Sequence, residues 1–260
     1  MTRREQVAFL IGTLLAEMPE YRQQAAAFPA DDAAQRRLLR SLMNLRPPMP
    51  LDPGFLEVQD ALLSAEREER GVVDGAALMP TAADPRLVLW QGDITRLRAD
   101  AIVDADNAAL LGCFAPCHGC IDNAIHSAAG VQLRNECAQL MEAQGHEEPV
   151  GKAKITGGYN LPARHVIHTV GPVVGVQVTE KQKEELASCY RSCLKLAEKS
   201  GLKSVAFCCI STGEFHFPGK LAARIAVETI DRYLSGSRLE RVVIDVFKEE
   251  DLHIYQKIFR

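Results

Sequence analysis

The sequence predicts a three-layer α/β/α sandwich on a mixed, mostly parallel sheet, with a helical extension at its N-terminus. Three observations carry that expectation. Residues 1–70 show helical periodicity only, whereas from Arg86 short apolar runs alternate with amphipathic helical stretches. Apolar strands joined by helical crossovers form parallel sheets covered on both faces. Between the two parts, residues 70–85 hold glycine and proline stops and no clear period. That stretch divides the chain into an extension over 1–70 and a sandwich domain over 71–260.

The first helix is expected over about residues 4–17, with Val7, Leu10, Ile11, Leu14 and Leu15 on one face. Arg3 and Arg4 before this apolar run resemble the start of a signal peptide, but Glu17 follows with no small-residue cleavage site. The reading is therefore an amphipathic helix of a cytoplasmic protein. A second helix, about 31–45, turns Leu38, Leu39, Leu42 and Met43 to its apolar side. Arg46-Pro47-Pro48-Met49-Pro50 is a stiff extended break. Asp52 then caps a third helix with Pro53 in its first turn, and Phe55, Leu56, Leu62 and Leu63 are its apolar positions. These helices carry no visible chemistry and read as a packing cap on the sandwich domain.

In the second part, strands are expected at 86–91 and 100–105, the latter nearly all apolar and hence central. A helix over 121–143 places Ile125, Ala129, Leu133, Cys137 and Leu140 on one side. Strands at 153–157 and 165–170 precede a long helix, 179–200, that Gly201 stops. A strand at 204–210, a helix at 219–234, a strand at 241–247 and a closing helix at 249–259 complete the chain. Ligands of parallel sheets collect outside the carboxyl ends of the strands. Gly92-Asp93, the loop from Asn107 to Asp122, the segment Ser211 to Gly219, and Phe247 each come after a strand, so one site gathers them.

Composition narrows the function. A hydrophobic fraction of 47% with 25% charged residues is that of a globular chain able to bury a core. A net charge of −4 argues against nucleic acid or an anionic membrane as partner, and no run approaches the roughly 20 apolar residues of a membrane span. Eight cysteines in 260 residues are too sparse for a disulfide scaffold. Cys208 and Cys209 in an apolar run, and Cys189 and Cys193 in a helical pattern, read as buried thiols.

The densest chemistry lies at 112–126, where Cys113, Cys117, His118 and Cys120 fall within eight residues. Thiolate and imidazole together suit zinc. Pro116 and two glycines exclude a helix, so the stretch is a loop able to wrap three ligands around one ion and leave a fourth position open. Asp93 beyond the first strand is either a turn residue or an acceptor for a ligand. The amides of Ser211 to Phe215 precede a helix and suit phosphate. Phe247 either stacks on a base or packs in the core. His126 and His216 are candidate bases, with core packing the favoured reading for both.

Gln-Gly-Asp-Ile-Thr at 91–95, Gly-Cys-Phe-Ala-Pro-Cys-His-Gly-Cys-Ile-Asp-Asn-Ala-Ile-His at 112–126 and Ser-Thr-Gly-Glu-Phe-His-Phe-Pro-Gly-Lys at 211–220 occur in that order. Together they resemble the macrodomain family of ADP-ribose binders, and within it the zinc-containing microbial branch, including its helical extension. The resemblance implies zinc on Cys113, His118 and Cys120, with Cys117 a bystander. It places ADP-ribose against Asp93, Ile94, Asn107, Cys120, Ile121, Asp122, Ser211, Thr212, Gly213, Glu214, Phe215 and Phe247. Asn107 and Asp122 then lie at the distal ribose as catalytic residues. The implied activity is removal of mono-ADP-ribose from protein side chains linked through Asp or Glu, a metabolic carrier protein being one candidate substrate. The alternatives are a non-catalytic reader and a structural or redox-sensitive zinc loop. One departure stands out. The family commonly reads Asn-Ala-Ala-Asn where this chain has Asp104-Ala105-Asp106-Asn107. Two carboxylates about 4 Å from a diphosphate would repel it by ~4 kcal/mol at an effective dielectric of 20. That cost disappears if they point into the scaffold, are protonated, or approach the metal, where Asp106 would help hold it.

Overall fold

In the computed structural model, which describes residues 1–259, four helices precede the sheet. They are α1 (Arg3–Glu17), α2 (Arg22–Ala26), α3 (Asp32–Leu45) and α4 (Pro53–Arg70). Thr2 and Glu5 form a reciprocal capping box at the start of α1. Asp31 and Asp52 accept the amides of Ala34 and Phe55 and so cap α3 and α4. The apolar faces then meet: Leu10 and Leu14 of α1, Leu39 and Leu42 of α3, and Leu62 of α4 are buried in one cluster, which Val131 joins from the second part. Each such leucine contributes about 1.5–3 kcal/mol on burial.

The remaining elements are β1 (Val73–Asp74), β2 (Leu87–Gln91), β3 (Leu97–Arg98), β4 (Ala101–Asp106), α5 (Ile121–Ala129), α6 (Val131–Gln144), β5 (Ala153–Gly157), β6 (His165–Val170), α7 (Glu180–Lys199), β7 (Ser204–Phe207), α8 (Gly219–Leu234), β8 (Arg241–Val246) and α9 (Glu249–Ile258). The main sheet runs β2-β8-β7-β4-β6-β5, parallel throughout except where β5 meets β6. β1 and β3 pair separately. The predicted mixed, mostly parallel sheet is therefore present, with β4 inside it.

Alternation along β4 assigns its two faces. Val103 is level with Phe207 of β7, on whose ring Tyr190 of α7 packs at 5.0 Å between centroids. Asp104 points the opposite way, level with His168 of β6 and toward His126 of α5. Helices thus cover both faces, making three layers.

Two expected elements differ. The helix expected over 121–143 is two helices, broken at Gly130, whose φ of 100° suits glycine and where a Cβ would stand 2.7 Å from Gln59 Nε2. Ile125, Ala129 and Leu133 stay buried across the break, which is why the apolar pattern shows no interruption. The strand expected to reach 210 ends at Phe207, and Cys208 to Ile210 turn out of the sheet toward the site.

Arg134 locks the two parts together. It is 5% exposed, and its guanidinium donates to Leu111 O and to the carbonyls of Met43, Asn44 and Arg46 at the end of α3. A cation at a helix C-terminus is favoured by the helix dipole. Burial lowers its pKa to about 10, so it stays charged at neutral pH. Phe114 lies against its face at 4.2 Å. Arg134→Met is expected to fill the space yet strand these carbonyls, lowering stability by roughly 3 kcal/mol in urea unfolding. A loss below about 0.5 kcal/mol would mean that the carbonyls find water instead.

Candidate active site

A cleft of about 390 Å³ opens at the carboxyl ends of β2, β4, β7 and β8. Asp93, Ile94, Cys120, Ile121, Ser211, Thr212, Gly213, Glu214, Phe215 and Phe247 line it, which brings together ten of the sequence-predicted residues from four separate loops. Asn107 and Asp122 are not in its wall. They sit beside it, with Asn107 Nδ2 3.5 Å from Asp122 Oδ2 and 3.4 Å from Gly112 O. Sequence reasoning missed Asp245, Lys248 and Asp251, which also line the cleft. Their signal was position alone: all lie within six residues of Phe247 around the end of β8.

At one end, Phe247 is 75% exposed, which rules out core packing. Asp93 is both a turn residue and a cleft residue. Its Oδ1 accepts from Thr95 N and Thr95 Oγ1 at 2.9 and 2.6 Å, and its Oδ2 lies 3.5 Å from Arg70 Nη1 of α4. Asp245 beside it is buried, and burial together with the Asp93 charge raises its pKa well above the usual carboxylate range.

In the loop before α8, the amides of Thr212, His216 and Phe217 are consumed by Cys209 O, Gly213 O and Ser211 O. Those of Ser211, Gly213, Glu214 and Phe215 have no protein acceptor among the described residues, so of the 211–215 run only Thr212 is withdrawn from the free set. Ser211 adopts a φ of 65°, and its Oγ is buried without a partner. Gly171 makes room for it, since a Cβ there would stand 2.1 Å from that oxygen. Strained backbone of this kind collects at functional sites. Across the cleft, the amides of Ile121 and Asp122 at the start of α5 add a second set of free donors, Asn123 N being taken by Cys120 Sγ. Of the two histidines considered as bases, His216 is exposed, at a φ of 56°, and His126 is packed inside.

The ligand-rich loop forms the wall between these donors and Asp122. Donor atoms of Cys113, His118 and Cys120 lie within 4.8 Å of one another, so these three residues can hold a metal ion. Two further observations fit that role. His118 Nδ1 is buried with no partner, and Cys120 both lines the cleft and caps α5 by accepting Asn123 N at 3.4 Å. Without a metal, burial pushes the Cys120 thiol up to about 12, so binding must displace a proton. Cys117 is turned away: its amide donates to Asn44 Oδ1 at 2.9 Å and its sulfur lies 3.4 Å from Ser41 Oγ, both on α3. The helical extension therefore backs the ligand loop, a contact invisible in the sequence.

Asp104 and Asp106 depart from the family pattern without opposing a diphosphate. Both are essentially buried, at 0% and 1% exposure, and point into the scaffold rather than the cleft. Neither joins the cysteine-containing ligand group, so Asp106 does not help to hold that ion. Burial raises both carboxyl pKa values, that of Asp106 to about 6. Asp122 is likewise raised well above the usual range by burial and by neighbouring Asp106. The repulsion expected against a diphosphate is thus removed by geometry.

Residues 103–226 match the Macro domain family. The chain is 47% identical to a Treponema medium protein named protein-ADP-ribose hydrolase, over 99% of both chains. It is 50% identical to a Staphylococcus aureus protein of the same name, over 85% of this chain and 84% of that one. Among solved structures, it resembles the Trypanosoma brucei macrodomain in complex with ADP-ribose, with a TM-score of 0.66 and 32% identity over 85% of this chain and 95% of that one. It also resembles the Oceanobacillus iheyensis macrodomain with ADP, with a TM-score of 0.60 and 41% identity over 65% and 87% of the two chains. Among the described residues, no helix is long and apolar enough to cross a membrane.

Proposed function

The chain belongs to the macrodomain family, and on that premise we propose that it is a zinc-dependent hydrolase that removes mono-ADP-ribose from carboxylate-linked protein side chains. The observation that carries the reading is Cys120. It belongs to the metal-ligand group and lines the cleft, two positions before Asp122, so the metal loop and the cleft share a wall.

Adenine would stack on exposed Phe247 and donate its exocyclic amine toward Asp93. The diphosphate would take the free amides of Gly213, Glu214 and Phe215 and those at the start of α5, which supply positive potential that a chain of net charge −4 otherwise lacks. Asn107 Nδ2 would donate to a hydroxyl of the distal ribose. Asp122, whose raised pKa makes its ionised form a stronger base, would orient water through Oδ1 and accept its proton when ionised. The water oxygen bonds to ribose C1, the bond from C1 to the side-chain oxygen breaks, and the carboxylate leaves with its electron pair. Zinc bound by Cys113, His118 and Cys120 would supply a Lewis acid for developing charge. Contacts to the remote adenine and diphosphate hold the reacting carbon in place.

The linkage is inferred from the leaving group. A carboxylate departs as a stable anion with a conjugate-acid pKa near ~4, whereas a guanidine must be protonated as it leaves. The test is release of free ADP-ribose from proteins modified on Glu or Asp and, separately, on Arg. Release from the carboxylate-linked protein alone is expected. Release from the arginine-linked protein alone would overturn the linkage, and ADP-ribose binding with no release from either would make the chain a reader.

A further inference from the structure

The two carboxylates that depart from the family pattern are brought together with two histidines. β4 supplies Asp104 and Asp106, β6 supplies His168 at the register position of Asp104, and α5 supplies His126. One donor atom from each lies within 4.8 Å of the others. All four residues are at least nine-tenths buried, and Asp104 Oδ1 and Oδ2, Asp106 Oδ2, His126 Nδ1 and Nε2, and His168 Nδ1 have no hydrogen-bond partner. So many orphaned polar atoms in one place demand a cation or protons, because each costs about 1–3 kcal/mol if left unsatisfied.

We propose that Asp104, Asp106, His126 and His168 form a second, buried site for a divalent transition-metal ion, separate from the cysteine loop. The separations fit an ion better than hydrogen bonds. His168 Nδ1 stands 3.4 Å from Asp106 Oδ2 and 3.8 Å from Asp104 Oδ2, and His126 Nε2 stands 4.0 Å from Asp104 Oδ2 and 3.5 Å from Asp122 Oδ1. Hydrogen bonds between such groups are about 2.7–3.0 Å. Tetrahedral ligands about 2.1 Å from one ion stand about 3.4 Å apart.

The ligands are also oriented as metal ligands are. His168 Nε2 lies 2.9 Å from Thr156 Oγ1, whose own hydrogen is directed at Val166 O. With the Thr156 hydroxyl donating to Val166 O, Nε2 carries the proton and Nδ1 presents its lone pair to the two carboxylates. Lone pairs facing one another repel unless a positive charge lies between them. Asp106 is anchored by its other oxygen, which accepts Asn107 N at 2.7 Å. A Cβ at Gly112 would touch the His126 ring at 2.9 Å, so the glycine lets that ring seat where it does. Such outer contacts fix ring orientation and tautomer around bound metals.

Charge completes the case. Among the described residues no lysine or arginine forms an ion pair with Asp104 or Asp106; besides the two histidines, both face the Asp122 carboxyl, and the buried Arg134 guanidinium acts on Asp106 from further away. Two carboxylates and a divalent ion sum to zero with both imidazoles neutral, and the neighbouring Asp122 is offset by the Arg134 guanidinium. A rival set, His126, Cys137 and His168, uses the opposite edge of the second ring, where Thr156 already occupies Nε2. Two oxygens and two nitrogens suit zinc, manganese or ferrous iron. The site does not depend on the hydrolase reading, because its readout is bound metal.

The test loads the metal-free protein with excess Zn2+, or with Co2+ as a spectroscopic probe, removes free ion by desalting, and measures metal per chain. The expected content is two ions for the native chain, one for D104N/D106A, one for C113S/C120S, and none for the fourfold variant. Cobalt in C113S/C120S is expected to show visible d–d bands without the near-ultraviolet thiolate charge transfer that D104N/D106A retains. A single ion in the native chain, unchanged in D104N/D106A, would overturn the proposal. That comparison holds even if C113S/C120S fails to fold.

Discussion

Asp122→Asn is expected to lower kcat for ADP-ribose release by about 10²–10⁴-fold, the span that a positioned general base contributes. The change keeps the shape of a side chain that is 5% exposed and retains an oxygen to accept from Asn107. It removes the proton acceptor and nothing else of that size. ADP-ribose affinity measured by calorimetry should therefore change by no more than a few-fold, since the cleft proposed for the adenine and diphosphate is lined by other residues. Thermal stability should hold or rise, because Asp122 Oδ1 is a buried oxygen with no hydrogen-bond partner. A raised KM with unchanged kcat would instead mean that Asp122 binds the ground state and does no chemistry.

On the proposed zinc-dependent mechanism, stripping metal from the Cys113–His118–Cys120 group is expected to lower kcat by at least about 100-fold, since Lewis-acid stabilisation of several kcal/mol is lost and each 1.36 kcal/mol is about tenfold. A chelator and the C120S variant test this by different routes. C120S is informative because serine is among the best helix caps, so the bond that Cys120 Sγ accepts from Asn123 N has a ready replacement. The expected result is turnover lost, ADP-ribose binding kept, and activity of the native chain restored when zinc is returned. Retained turnover with a lowered melting temperature would make the ion structural, a support for the loop that α3 already backs through Asn44.

Much of the fold was legible because its signals are short-range. Asp31 and Asp52 cap helices three residues away, and Gly201 closes α7 at a φ of 73°. The run at 101–103 is fully buried, as an all-apolar segment in a central strand must be. Gly130 was less legible, because the apolar residues on either side of it remain in phase and hide the break. Cys208 to Ile210 read as strand for a similar reason: burial favours apolar residues whether or not they pair in a sheet.

The site divides along the same line. Cys113, His118 and Cys120 were recognisable as a ligand group because eight residues of loop hold them all, and proximity in sequence guarantees proximity in space. That Phe247 is exposed, and that Asp245 and Lys248 join it in the cleft, depends on how β8 ends against its neighbours. Asp104 and Asp106 are the sharpest case. Their spacing of two puts them on one face of a strand, which the sequence alone determines. Which face, and what waits there, is decided by pairing: β6 brings His168 level with Asp104, and α5 lays His126 over both. No local pattern encodes that meeting, because the register of β4 with β6 is set by the whole sheet closing over its core.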